Sequence, residues 1–114
     1  MRKVSKKQSK INNKLRKVYQ ELANERIPVC TGCGRSDVPL SHSHIIPRSR
    51  RKDLECTKEN ITYHCLSTPE RIGCHVYWEG NLEKKQKLLD YHTNMEYILQ
   101  TDAEYYYVLT ELNN

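Results

Sequence analysis

An α+β fold class is predicted by three features of the sequence. Apolar residues recur at helical spacing toward both ends, at Ile11, Leu15, Val18 and Leu22 and again from Leu82 to Leu99. Between them lie two short stretches of strand composition, Val38 to Ile46 and Ile61 to Cys65. Four cysteines, Cys30, Cys33, Cys65 and Cys74, bracket those stretches.

The elements follow in chain order. Residues 1–9 are rich in Lys and Ser and are expected to be disordered. A first helix should run from about Ser9 to Arg26, with Lys14 and Lys17 off its apolar stripe and Pro28 ending it. The two strands come next, separated by the charged, irregular segment Pro47 to Asn60, which reads as a surface loop. A helical pattern begins near Cys74 and is interrupted by Gly80. Asn81 is placed to cap a further helix through about Leu99, docked by Leu82, Leu88, Leu89, Met95, Ile98 and Leu99. Thr101 with Glu104 forms a capping-box pattern opening a last helix to about Leu112, and Asp102 in its first turn complements the helix dipole. The expected division is 1–28, a basic arm and helix; 29–80, the cysteine-rich domain; and 81–114, helices packing on it.

A chain of 114 residues holds one domain, and this one is polar, with a mean hydropathy of -0.85. Phe is absent, so eight Tyr and one Trp carry the aromatic packing. A core this small needs a staple. No apolar run reaches the roughly 20 residues of a membrane span, which excludes an integral membrane protein. The basic N-terminus has no apolar segment behind it, so a secretory signal is not expected and the location should be cytoplasmic. Five cysteines inside a cell fit disulfides poorly. A metal is the better staple.

Cys30-Thr31-Gly32-Cys33-Gly34 has the form of a zinc knuckle, whose two-residue gap lets both thiolates face one ion. Cys65 and Cys74 are the best second pair, with Leu66 to Gly73 bulging out between them. Cys56 is the competitor, but charged neighbours and no glycine turn accompany it. Charge adds a partner class. The net charge of +5 is concentrated in residues 1–20, which hold eight cations and no acid. A basic arm on a balanced body is a common footprint of nucleic-acid binding.

Further motifs stand among the cysteines: Ser41-His42-Ser43-His44-Ile45-Ile46-Pro47-Arg48, then Glu59-Asn60-Ile61, then Cys74-His75. In this order and spacing they resemble the HNH endonucleases, and more narrowly the small phage-type HNH proteins whose ββα-metal fold is pinned by a four-cysteine zinc. The resemblance covers roughly Val29 to Glu79. It implies a divalent-metal-dependent DNA endonuclease that leaves 5′ phosphate and 3′ hydroxyl ends. His44 would be the general base, Asn60 would fix the loop and orient His44, and His75 would bind the catalytic ion, Mg2+ or another divalent ion. Many family members have Asp before the base, where this chain has Ser43, a weaker ligand. His42, on the same strand face as His44, and Glu79, four residues after His75, are the available substitutes.

Arg48, Arg50, Arg51 and Lys52 follow the base directly and, with Lys14 and Lys17, are the candidate phosphate contacts. His64 is expected to be packed or on the surface, His92 on a helix surface, and Tyr105, Tyr106 and Tyr107 in the packing of the last helix. DNA is the expected partner, with monomer and homodimer both open. Two alternatives remain at this point: a non-catalytic zinc-ribbon DNA-binding module, and a recombination nuclease acting on RNA, flaps or junctions.

Overall fold

A computed structural model describes residues 5–111. It is a small α+β structure with one two-stranded antiparallel sheet and, among the described residues, five α-helices.

Helix α1 spans Lys6–Glu25, longer at its start than the apolar stripe predicts. The Ser5 side chain caps it by accepting from the Gln8 N–H at 3.1 Å, so residues 6–9 are helical rather than disordered. The four residues before Ser5 lie outside the described residues. Leu15 and Leu22 are buried, whereas Lys14 and Lys17 are exposed. At the other end Arg26 donates to the Ile61 and Lys58 carbonyls, at 2.5 and 3.1 Å, tying α1 to the start of the second strand.

Strand β1, Leu40–His44, pairs with β2, Ile61–Cys65, in the register His42 opposite Tyr63 and His44 opposite Ile61. β2 falls where Ile61, Thr62 and Tyr63 place it, whereas β1 is shorter than Val38 to Ile46 and leaves the β-branched Val38, Ile45 and Ile46 outside it. It ends because Asn60 takes over the pairing. The Asn60 carbonyl accepts from Ile45 N–H, and its buried side chain accepts from Ile46 N–H at 2.8 Å and donates to the Ile46 carbonyl at 3.0 Å. Every residue of β2 is buried. α1 covers it at Tyr63, through the Tyr19 and His42 rings, while Thr62 and His64 face Thr31 and Asp90.

Helix α2, Cys74–Glu79, follows the hairpin and docks through Trp78, whose indole N–H is shared between the His44 and Ile45 carbonyls at 3.3 Å each. The single long helix expected from Asn81 to Leu99 is broken. Asn81 does cap a helix, accepting from Lys84 N–H at 3.0 Å, but α3 is only Leu82–Lys85, and α4 begins at Tyr91 and ends at Thr101. The break resets the helical phase. Leu88, Met95 and Ile98 enter the core and Leu82 packs against it, whereas Leu89 and Leu99 are left exposed. Helix α5, Ala103–Glu111, is opened by Asp102 rather than Thr101, the Asp102 carboxylate accepting from Tyr105 N–H at 3.1 Å. Leu112 lies outside the described residues. One core joins Cys30, Ile46 and Trp78 to Met95 and Ile98, so the middle segment and the C-terminal helices share their packing. No helix among the described residues is long and apolar enough to cross a membrane.

Candidate metal centre and catalytic cleft

The ligand atoms of Cys30, Cys33, Cys65 and Cys74 all lie within 4.8 Å of one another, and three of the four residues are buried. Thiolates about 2.3 Å from a tetrahedral ion are spaced about 3.8 Å apart, and the Cys33 and Cys65 sulfurs are 3.9 Å apart. Backbone N–H groups aim at the cluster: Cys65 N–H donates to the Cys30 sulfur at 3.2 Å, and Cys74 N–H to the Cys65 sulfur at 3.3 Å. These four thiols could hold a metal ion such as zinc.

The turns around them leave little room for other residues. Gly34 has a φ of 79°, disfavoured for L side chains. A Cβ on Gly32 would lie 2.9 Å from the Cys74 Cβ and 3.0 Å from its sulfur. Leu66 to Gly73 forms the expected small loop, closed by hydrogen bonds between Thr68 and Arg71. Arg71 also reaches the Cys65 sulfur at 3.6 Å. Burial pushes the Cys30 and Cys74 thiols up. At Cys33 burial also pushes up, but the Arg35 N–H, the Arg71 guanidinium and the neighbouring thiols outweigh it and bring Cys33 down to about 7. Cys56 stands apart from this group, its sulfur 4.0 Å from the Ile11 carbonyl.

On the other side of α2, a cleft of about 430 Å³ is lined by His44, His75, Glu79, Arg48 and Lys85, among others. The His44 Nε2 lies 2.8 Å from the Glu55 carbonyl, which can only accept, so Nε2 carries the proton and Nδ1 keeps its lone pair. Burial and the nearby Arg48 charge hold the His44 pKa below the ordinary histidine value, against an opposing contribution from Glu55. Both effects favour the neutral imidazole. Asn60 touches Ile46 and Leu54 rather than the His44 ring, so it orients His44 only through the backbone that it holds.

His75 is held from both nitrogens, with the Ser43 hydroxyl 2.7 Å from Nδ1 and the Glu79 carboxylate 3.0 Å from Nε2. That 3.0 Å is the separation of neighbouring ligands in octahedral coordination at about 2.1 Å. A nitrogen and an oxygen at this spacing form an i,i+4 pair and could take a divalent ion between them. Ser43 is buried against His75, while His42 stacks on Tyr19 with ring centroids 3.7 Å apart and planes 13° apart.

Neither a family model, nor a curated protein, nor a solved structure matches this chain.

The cations after His44 divide. Arg50 and Arg51 pair with Asp102 at 3.2 and 3.5 Å, clamping the loop to the junction of α4 and α5, and Arg51 also pairs with Asp53 within the loop at 2.7 Å. Arg48 is half-satisfied by Glu55 at 3.1 Å and lines both the cleft and a neighbouring polar hollow, where Lys52 and Lys7 join it. His64 is fully buried and lies 2.8 Å from the Asp90 carboxylate, a packing role, and His92 is exposed on α4. Tyr105 lines the cleft beneath Arg50, and Tyr107 is exposed.

Nothing in the sequence singles out Lys85. Its side chain is buried and donates to the Trp78 and Gly80 carbonyls at 2.5 and 2.8 Å, satisfying the end of α2 and placing a cation on the cleft wall. Burial brings it down to about 8. Only the helix break at Gly80 and Asn81 hints at a need for such a cap.

Proposed function

We propose that the protein is a divalent-metal-dependent DNA endonuclease of the HNH type, with zinc on the four cysteines. One observation carries this reading: His44, with a free Nδ1, shares a single cleft with the His75–Glu79 pair. Phosphodiester hydrolysis needs an activated water, charge stabilisation at phosphorus and help for the leaving oxygen. A neutral His44 takes the proton from the attacking water at Nδ1, while the Glu55 carbonyl holds the ring and stabilises the imidazolium that forms. His75 and Glu79 would hold the divalent ion, which would supply charge stabilisation to the phosphate and the leaving 3′ oxygen. Asn60 joins the loop to the hairpin, and Trp78 fixes α2 against the strand that bears His44. The four-cysteine site, which includes Cys74, sets the start of α2 and so the position of His75.

The products test the reaction type. A nick with 5′ phosphate and 3′ hydroxyl ends is resealed by DNA ligase, and that is the expected result on plasmid nicked in Mg2+ or Mn2+. A nick that resists ligase would contradict the ends proposed. Glu79→Gln keeps the side-chain shape at an exposed position but halves the donor pair. It should raise the ion concentration needed for half-maximal cleavage several-fold, with folding and zinc content unchanged. An unaltered ion requirement would shift the ligand role to Ser43 or water.

The basic half of α1 supports DNA as substrate. Lys6, Lys7, Lys10, Lys14, Arg16 and Lys17 occupy it without an acid in the first turn, an arrangement the helix dipole disfavours. Glu21 and Glu25 of the other half are paired with Lys58 at 3.4 and 2.8 Å. Replacing Lys10, Lys14 and Lys17 by Gln should flatten the dependence of log affinity on log salt, by roughly 0.9 for each phosphate that these lysines neutralise. Equal slopes would show that this face does not touch DNA.

A further inference from the structure

A wide, shallow groove of about 710 Å³ lies between α1 and the hairpin. Its lining is mostly apolar: Leu15 and Pro28 join the rings of Tyr19, His42 and Tyr63, Ala23 leaves it open, and Arg16 and Gln20 reach it from exposed helix positions. His42 lines both this groove and the catalytic cleft, so the two adjoin at that residue. Arg48 in turn joins the cleft to the hollow that holds Lys7 and Lys52. The three adjoin in turn: aromatic groove, cleft, and a polar hollow in which Lys7 and Lys52 stand beside the Arg48–Glu55 pair. That is the order of binding groups a single strand needs: a face to stack a base, a site for the phosphate beside it, and cations for the next phosphate.

We propose that the groove takes one unpaired nucleobase from the strand whose phosphate lies in the cleft, which makes single-stranded or locally opened DNA the preferred substrate. The inference rests on the phosphodiesterase reading above for what the cleft does. The occupant follows from the adjoining of groove and cleft at His42 and from the cationic face of α1, which complements a polyanion rather than an apolar peptide. Tyr19 and His42 are stacked on each other, so a base would meet an outer face of that pair, with Arg16 and Gln20 at the rim for its polar edge or the sugar-phosphate.

The test uses the full chain, in buffer without added divalent ion so that nothing is cut. Affinity is measured for a twelve-nucleotide thymidine strand, for the same backbone without bases, and for a duplex of equal length. Charge is equal in the two single strands, so a difference reports base contacts. The wild type should bind the strand with bases roughly ten-fold more tightly, the scale of one stacked base. Ala23→Leu, at an exposed helix position, should fill the groove and abolish that preference while leaving the affinity for the base-free backbone and the helical signal unchanged. Ala23→Ser should behave as wild type, and Tyr19→Ala should lose the preference as Ala23→Leu does. Equal affinity for the two strands, or a preference that survives Ala23→Leu, would overturn the proposal. So would an oligomer that dissociates on Ala23→Leu, because the groove would then belong to a second copy of this chain. Cleavage without base preference would sink this inference alone. Base preference without cleavage would leave the base-binding groove standing and sink the nuclease reading, and with it the claim about substrate.

Discussion

Cys33→Ser is expected to lose the metal and unfold. Structural zinc contributes roughly 10 kcal/mol or more of apparent folding energy in small domains, against a net stability of about 5–15 kcal/mol for folded domains generally. Little else here can replace it. Cys30, Cys65 and Cys74 belong to the same core as Trp78 and Ile98, so their sulfurs cannot turn out to water without opening that core. Without a cation, three buried thiols would also lose the arrangement that their N–H donors support. The variant should purify with about one equivalent less zinc, lose its cooperative thermal transition and aggregate. Retention of a sharp transition without metal would show that the apolar core suffices.

His44→Ala is expected to keep the fold and lose cleavage by roughly 100-fold or more, the usual scale for a general base. The imidazole is only partly buried and makes one hydrogen bond, to the Glu55 carbonyl, so its removal costs the loop a modest anchor. Zinc content, helical signal and DNA affinity should match wild type. The pH profile gives an independent reading. A base works only when deprotonated, so the rate rises with pH as His44 loses its proton and is then level. Because the His44 pKa is depressed, that rise should fall below the pH of an unperturbed imidazole, whose reference value is 6.5. A rise centred above that value would assign the rate to another group. Wild-type cleavage by His44→Ala would remove the mechanism.

What the residues announce in advance is mostly local chemistry. Cys30-Thr31-Gly32-Cys33 and the strand Ile61 to Cys65 carry their geometry in their own spacing, and the four cysteines do converge. His44 and His75, 31 positions apart, are linked by motif order and are found on one cleft. Features decided by long-range packing are not legible. Asp90 and Leu89 lie in the break between α3 and α4 because Leu89 N–H donates to the Gly32 carbonyl at 2.8 Å and Asp90 accepts from Thr31 at 2.7 Å. Those bonds to the knuckle outweigh the helical periodicity of Leu82 to Leu99. Arg50 and Arg51 read as free cations because Asp102 lies some 50 positions away. Asn60 is expected to fix the loop and to orient His44; it does hold the loop, at the Ile46 backbone and the Leu54 carbonyl, but it bonds to neither ring nitrogen of His44. Lys85 gives no signal, because its need arises only once α2 ends beside it.

Supercoiled plasmid incubated with the wild-type chain and Mg2+, Mn2+, Ni2+ or Zn2+ in turn is the most direct test of the account. It predicts conversion to nicked or linear DNA that requires an added divalent ion and stops when that ion is chelated, while the four-cysteine metal stays bound. Intact plasmid in every ion, at protein concentrations that saturate the DNA, would contradict it.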